Sequence, residues 1–296
     1  MKKTVLFLFL FCSFVFAAAE IGQNNPLYGI PLITSIPEYD RFGSLFVILQ
    51  SKLFWAGFLF VVIALPLGFA LHYKLIGAKV FSHSDKKIYV FNLFARTFHW
   101  IAALSFIILV PTGLIMVFGD FFGGGTFVRA CKNLHGIATI IFAISVLPIT
   151  FSWIKDMLLS KDDIKWFAMM GGYLSKAKRE VPSGKFNGGQ KMWFWIAIPG
   201  GLLMIATGAC MFFLNSDLTL VSNIFGIKQI ELLRISAIVH NVLGILIVAM
   251  FFVHVYMSVF AIKGSLHSMI GGYKEEEEVA LMHSSWYKKL KAKGKI

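Results

Sequence analysis

The stretch Ile235 to Ile262, ISAIVHNVLGILIVAMFFVHVYMSVFAI, decides how the rest of the chain is read. It is apolar almost throughout, it is long enough to cross a hydrocarbon layer about 30 Å thick, and it carries two histidines, His240 and His254. At about 1.5 Å per residue the two imidazoles lie roughly 21 Å apart along a helix axis, on nearly the same face. Gly244, Ile247 and Phe251 stand between them on that face. A ligand-type side chain near each border of the membrane, with a small residue beside one of them, suits a helix that holds two flat cofactors at two depths. Haem is the cofactor this spacing suggests.

Composition agrees with a membrane setting. Of 296 residues, 57% are hydrophobic, and the mean hydropathy is +0.75, far too apolar for an ordinary soluble domain. The formal charge of +13 sits mostly between apolar runs, where the positive-inside rule accounts for it, and no nucleic-acid motif accompanies it. Cys12, Cys131 and Cys210 form no CxxC or CxxCH, so neither a c-type haem attachment nor a sulfur-ligated metal site is supported. Residues 1–19, with Lys2 and Lys3 before an apolar core and Ala17-Ala18-Ala19 at its end, read as a secretory signal peptide, the alternative being a short uncleaved anchor. Residues 20–52, with Pro26, Pro31 and Pro37, read as an exported segment.

Five further apolar runs are each long enough to span: 53–73, an additional N-terminal helix, then 98–118, 134–154, 192–214 and 235–262. Lysine and arginine crowd the connections after the first and third runs and the tail 263–296, whereas the other connections hold few. This predicts an N-terminus on the periplasmic side of a bacterial inner membrane and a C-terminus in the cytoplasm. Pro66, Pro111, Pro148 and Pro199 fall inside the runs, where a packed bundle tolerates them. No internal repeat is evident, and Glu275 to Glu278 read as part of a solvated tail.

Sidedness sorts the histidines by depth. His99 and His254 fall toward the cytoplasmic side, and His135 and His240 toward the outer side. Two pairs at two depths suit two six-coordinate haem groups, each iron taking one imidazole from either face of the porphyrin. Gly113, fourteen residues after His99, is expected at the outer depth, where a missing side chain lets a macrocycle approach the backbone. Arg96, one turn before His99, is a candidate partner for a haem propionate, as are Arg129, Lys132 and Arg234 near the outer pair. His72, His83, His267 and His283 read as interfacial or solvated.

At these residues the sequence resembles the cytochrome b (gamma) subunit of membrane-bound respiratory formate dehydrogenases. The resemblance runs from about Asn92 to Lys289. It rests on ARTFHW with His99, NLHG with His135, KFNGGQKMWFW from Lys185 to Trp195, IVHN with His240, and HVYMSVFAIKGSLHSMIGG from His254 onward. It implies an all-α integral membrane protein: a four-helix transmembrane diheme cytochrome b bundle over 92–262, with His99 and His254 holding one haem b and His135 and His240 the other. The chain departs from that pattern in its N-terminal additions and in a longer connection from Asn215 to Arg234.

The resemblance also implies a menaquinone site at Asn187, Gly188, Gly189, Gln190 and His254, fed with electrons from an iron-sulfur (beta) subunit. The formate chemistry then belongs to a molybdopterin or tungstopterin catalytic (alpha) subunit on another chain. From the residues alone the glycine-rich loop fits a turn that opens a helix equally well. The histidine pattern alone also fits the cytochrome subunits of nickel-iron hydrogenases and other molybdenum reductases. A non-redox membrane anchor with structural histidines and a haem-handling transporter are the readings from other classes.

Overall fold

The structure, a computed structural model, describes residues 42–82 and 86–296. The expected signal peptide, most of the expected exported segment and His83 lie outside the described residues. Among the described residues five helices are long and apolar enough to cross a membrane. They are α1 (Gly43–Leu75), α2 (Leu93–Val117), α3 (Gly125–Trp153), then, after a short amphipathic helix α4 (Lys161–Ala168), α5 (Gly188–Phe212), and finally α6 (Gln229–Val255). The protein is thus an all-α, multi-pass membrane protein. Many of its apolar side chains stand uncovered, including Leu104, Ile140, Ile144 and Phe151, as surfaces in contact with lipid require.

Local chemistry sets the ends of these helices. Asn92 opens α2 by accepting a hydrogen bond from Ala95 N at 2.9 Å. Ser160 opens α4 in a capping box with Asp163. The four prolines lie inside α1, α2, α3 and α5. Helix α1 begins at Gly43 rather than Leu53, and a π-helical turn at Leu49–Leu53 joins its two parts. Helix α6 runs on as a second π-helical turn, Tyr256–Ala261.

The segment after α6 is packed rather than solvated. Residues 273–275 form a strand, β2, antiparallel to β1 at residues 87–89, with Lys87 opposite Glu275 and Tyr89 opposite Tyr273. Two helices follow, α7 (Glu276–Met282) and α8 (Ser284–Ala292). The reading of Glu275 to Glu278 as a solvated run therefore needs correction: Glu278 is 1% exposed and pairs with buried Lys274. Glu277 meets Lys178 at 2.8 Å, and Glu276 accepts from the Tyr287 hydroxyl at 2.6 Å. The run is acidic because the fold supplies cations and hydroxyls to it. His283, also expected in solvent, is 2% exposed and donates from Nδ1 to the Gly184 carbonyl at 2.9 Å.

The described residues form two compact units, 42–60 with 206–245, and those of 61–205 with 246–296. In the first, α1 and α6 approach closely at Gly57, where a Cβ would stand 2.8 Å from Ile245 Cδ1. The second holds β1, β2, α2 to α4, most of α5 and everything after residue 245.

Candidate haem sites and the glycine-rich loop

His99 lies in the second turn of α2 and His254 near the end of α6, and both belong to the larger unit. Their ring centroids are 6.3 Å apart at an interplanar angle of 56°. An imidazole bound at about 2 Å through one nitrogen has its ring centre about 3 Å from the metal, so two on opposite sides are about 6 Å apart. The observed spacing matches that requirement. His99 Nδ1 is buried without a hydrogen-bond partner, and Trp193 of α5 lies nearly parallel to the His254 ring, 5.5 Å away. Among the described residues no group of three or more His, Cys, Asp or Glu side chains gathers in the way a bare metal ion requires. A porphyrin-held iron asks the protein for only two axial donors, and this pair fits it.

Contacts from beyond α6 bring the two rings together. Trp100 Nε1 donates to the Met269 carbonyl at 2.9 Å, and Arg96 Nη1 donates to the Ile270 carbonyl. Arg96 Nε is buried with no partner. The guanidinium that the sequence offers to a propionate thus already serves, in part, to fasten α2 to the segment after α6.

His135 and His240 are held differently. On α2 the Thr112 hydroxyl donates to the Ile108 carbonyl at 2.6 Å, so its oxygen accepts from His135 Nδ1 at 2.9 Å. The next residue is Gly113, whose missing Cβ would stand 3.4 Å from His135 Cε1. In the smaller unit, Thr207 of α5 lies 3.1 Å from His240 Nδ1. Gly208 follows it, and its missing Cβ would stand 3.2 Å from His240 Cε1. A Thr-Gly pair on one helix thus grips an imidazole on the next spanning helix, twice over. With Nδ1 of His135 donating to threonine, its Nε2 carries the lone pair that a metal would take. Gly113 faces the imidazole itself. Neither threonine was foreseen from the sequence, although the dipeptide Thr-Gly ahead of a histidine-bearing span was there to be noticed.

The loop from Lys185 to Lys191 opens α5. Asn187 N donates to Gln190 Oε1 at 2.9 Å and Gln190 N donates to Asn187 Oδ1 at 3.0 Å, a reciprocal capping box. Gly188 and Gly189 let Trp166 of α4 lie against the first turn, since a Cβ on either would meet its indole at 2.8 Å. Lys191 Nζ reaches Asp163 Oδ2 and the Leu158 carbonyl, both at 2.8 Å, in a buried ion pair. Burial opposes the Asp163 charge, but the hydrogen bonds from Lys191 and Ser160 prevail and hold the carboxyl below its ordinary range. Lys185 Nζ stands over the rings of Phe91 and Phe186, 5.4 and 5.7 Å from their centroids, and burial lowers its pKa although Asp156 acts against this. The carbonyl ends of Asn187 and Gln190 are therefore engaged in capping, and the Asn187 side chain also hydrogen-bonds the Tyr173 hydroxyl.

Five apolar spans and paired intramembrane imidazoles define a class, the membrane cytochromes of b type. The chain belongs to the prokaryotic cytochrome b561 family, whose profile matches residues 90–272. It is 27% identical over 218 residues to the formate dehydrogenase cytochrome b556 subunit of Haemophilus influenzae, covering 71% of this chain and 87% of that one. It is 26% identical over 208 residues to the nitrate-inducible formate dehydrogenase cytochrome b556(Fdn) subunit of Escherichia coli, covering 68% and 90%. With the cytochrome b556(fdo) subunit of the same organism it shares 24% over 204 residues, covering 66% and 90%.

Proposed function

We propose that this chain is the membrane cytochrome b subunit of a formate dehydrogenase, carrying electrons from an iron-sulfur partner subunit through two b-type haems to menaquinone on the cytoplasmic side of a bacterial inner membrane. Formate itself is oxidised on a molybdopterin or tungstopterin subunit. The observation that carries the reading is the half-buried pair His99 and His254, spaced as two ligands of one iron would be, in a region similar to formate dehydrogenase cytochrome subunits.

Bound haem supplies one-electron transfer across the bilayer. In this reading His99 and His254 hold one group, and His135 and His240, matched in depth by sequence, hold the other. Thr112 and Thr207 fix the protonated nitrogen of their imidazoles, so that the ligating nitrogen is presented without reorganisation. The apolar helices around these half-buried rings would keep water from competing with the imidazoles for the iron. For the quinone, the Gln190 amide, held by Asn187 beside Gly188 and Gly189, provides a donor at the start of α5, the helix that also places Trp193 on His254. Protons for the reduced quinone come from the cytoplasm, so their uptake opposite the site of oxidation stores membrane potential.

The test is reduction of the membrane-bound cytochrome by formate. Addition of formate reduces the b-type absorbance, and a quinone-site inhibitor keeps it reduced. Co-purification with a nickel-iron subunit, with reduction by hydrogen and not by formate, refutes the formate assignment.

A further inference from the structure

The family profile begins at residue 90, so nothing in the match accounts for α1 or for the connector that follows it. We propose that the end of α1 and this connector form a strap that positions His254, with Phe69, His72 and Lys79 pinning both ends of the π-helical turn next to this ligand. The inference rests on the reading of His254 as a haem ligand.

The turn at Tyr256–Ala261 starts two residues after His254. A π-turn carries one residue more than an α-turn and persists where its surroundings hold it, often at functional sites. Were the bulge to migrate upstream past residue 254, His254 would shift by one helical position, about 100° in phase and 1.5 Å along the axis. Whatever fixes the start of the bulge therefore also fixes the imidazole.

Two sets of contacts hold it. At the start, the Phe69 ring lies parallel to that of Tyr256, with centroids 4.4 Å apart and 3° between planes. His72 Nε2 donates to the Tyr173 carbonyl at 3.0 Å, which leaves Nδ1 as the acceptor for the Tyr256 hydroxyl at 2.5 Å. Tyr256 is only 7% exposed, so its hydroxyl depends on this partner rather than on water. At the other end, Lys79 N donates to the Ala261 carbonyl at 2.8 Å and Lys263 N donates to the Lys79 carbonyl at 2.9 Å. The Lys79 ammonium is itself fixed by the carbonyls of Ser175 and Ala177, at 2.5 and 2.8 Å. A side-chain clamp at one end and a main-chain clamp at the other give the turn a single register.

The experiment uses the full chain in its membrane complex and reads low-spin ferric haem signals by electron paramagnetic resonance, together with the midpoint potential of each haem. His254→Ala identifies which signal depends on this ligand. Phe69→Ala with His72→Leu is expected to shift the g value and potential of that signal alone, leaving the other haem unchanged. His72→Gln, which can both donate to Tyr173 and accept from Tyr256, restores the original signal, and Tyr256→Phe reproduces the shift of His72→Leu. Two unaltered signals in the double variant, or equal loss of both, overturn the strap. If His254→Ala keeps both signals, the haem assignment of His254 fails first, and that failure is distinguishable from the failure of the strap.

Discussion

His135 and His240 each lie against a Thr-Gly pair on another helix, so the orientation of each ring depends on two adjacent residues. Around His99 and His254 no such pair is seen among the described residues: His99 Nδ1 is buried and unbonded there, and the rings stand 6.3 Å apart where Trp100 and Arg96 bond the packed segment beyond α6. One arrangement is local and keeps the ligand fixed wherever two helices touch. The other is distributed, and depends on the tail staying in place. The difference teaches that similar imidazoles can be held at very different ranges within one chain, with different sensitivities to mutation and to pH.

The largest expected effect comes from removing a ligand outright. On the proposed two-haem reading, His254→Ala should lose about half of the reduced b-type absorbance, whereas Thr112→Val should lose far less. Equal losses would break the contrast. Next come the threonines: outer-shell partners of ligating histidines typically contribute about 10–100-fold in metal affinity, so Thr112→Val and Thr207→Val should weaken haem retention roughly tenfold. Because an imidazole that no longer donates from Nδ1 is a poorer electron donor, the potential of the affected haem should rise, as redox titration would record.

Acid should separate the two arrangements further. Burial, reinforced by nearby Lys274, pushes His283 down to about 3 although its bond to Gly184 acts the other way. The unfolded tail binds this proton near pH 6.5, so the stabilisation from docking is complete above that value and is lost as pH falls toward 3. Hydrogen exchange in α7 and α8 should therefore rise with acidification, and the haem proposed at His99 and His254 should respond before any group held by His135 or His240. Glu277, which Lys178 and Ser82 hold down to about 2, keeps its charge over most of that range.

The smallest effects concern the glycines. A Cβ at Gly208 stands 3.2 Å from its imidazole and one at Gly113 stands 3.4 Å away, so Gly208→Ala should disturb haem binding more. Alanine raises helix stability by roughly 0.5–1 kcal/mol over glycine, so melting temperature and haem content should move in opposite directions for Gly208→Ala. For Gly113→Ala only the rise in stability is expected to be measurable.

Five spans and the approach of His99 to His254 were legible because hydropathy and helical phase are local properties of a sequence. Thr112 was not, since a threonine in an apolar helix usually bonds the carbonyl one turn back, as this one also does. Asn187 and Gln190 show a competing local rule: an Asn three residues before a Gln ahead of an apolar run is a capping signature, and the structure uses the pair that way. The tail was misread, although the pair Lys274 and Glu278 is local, because the partners of Glu275 and Glu277, namely Lys87, Ser82 and Lys178, stand far away in the chain. Charge without a visible partner looks solvated in one dimension.

The ribbon of β1 and β2 joins a segment made before α2 to one made after α6. It cannot close until the ribosome has released residue 275, by which time every span has been delivered to the bilayer. Non-local pairing of this kind forms late in folding, so synthesis leaves an interval in which the helices are inserted and the latch is still open. Cofactor loading has that interval for unhindered entry, and a chain ending before Tyr273 would never leave it.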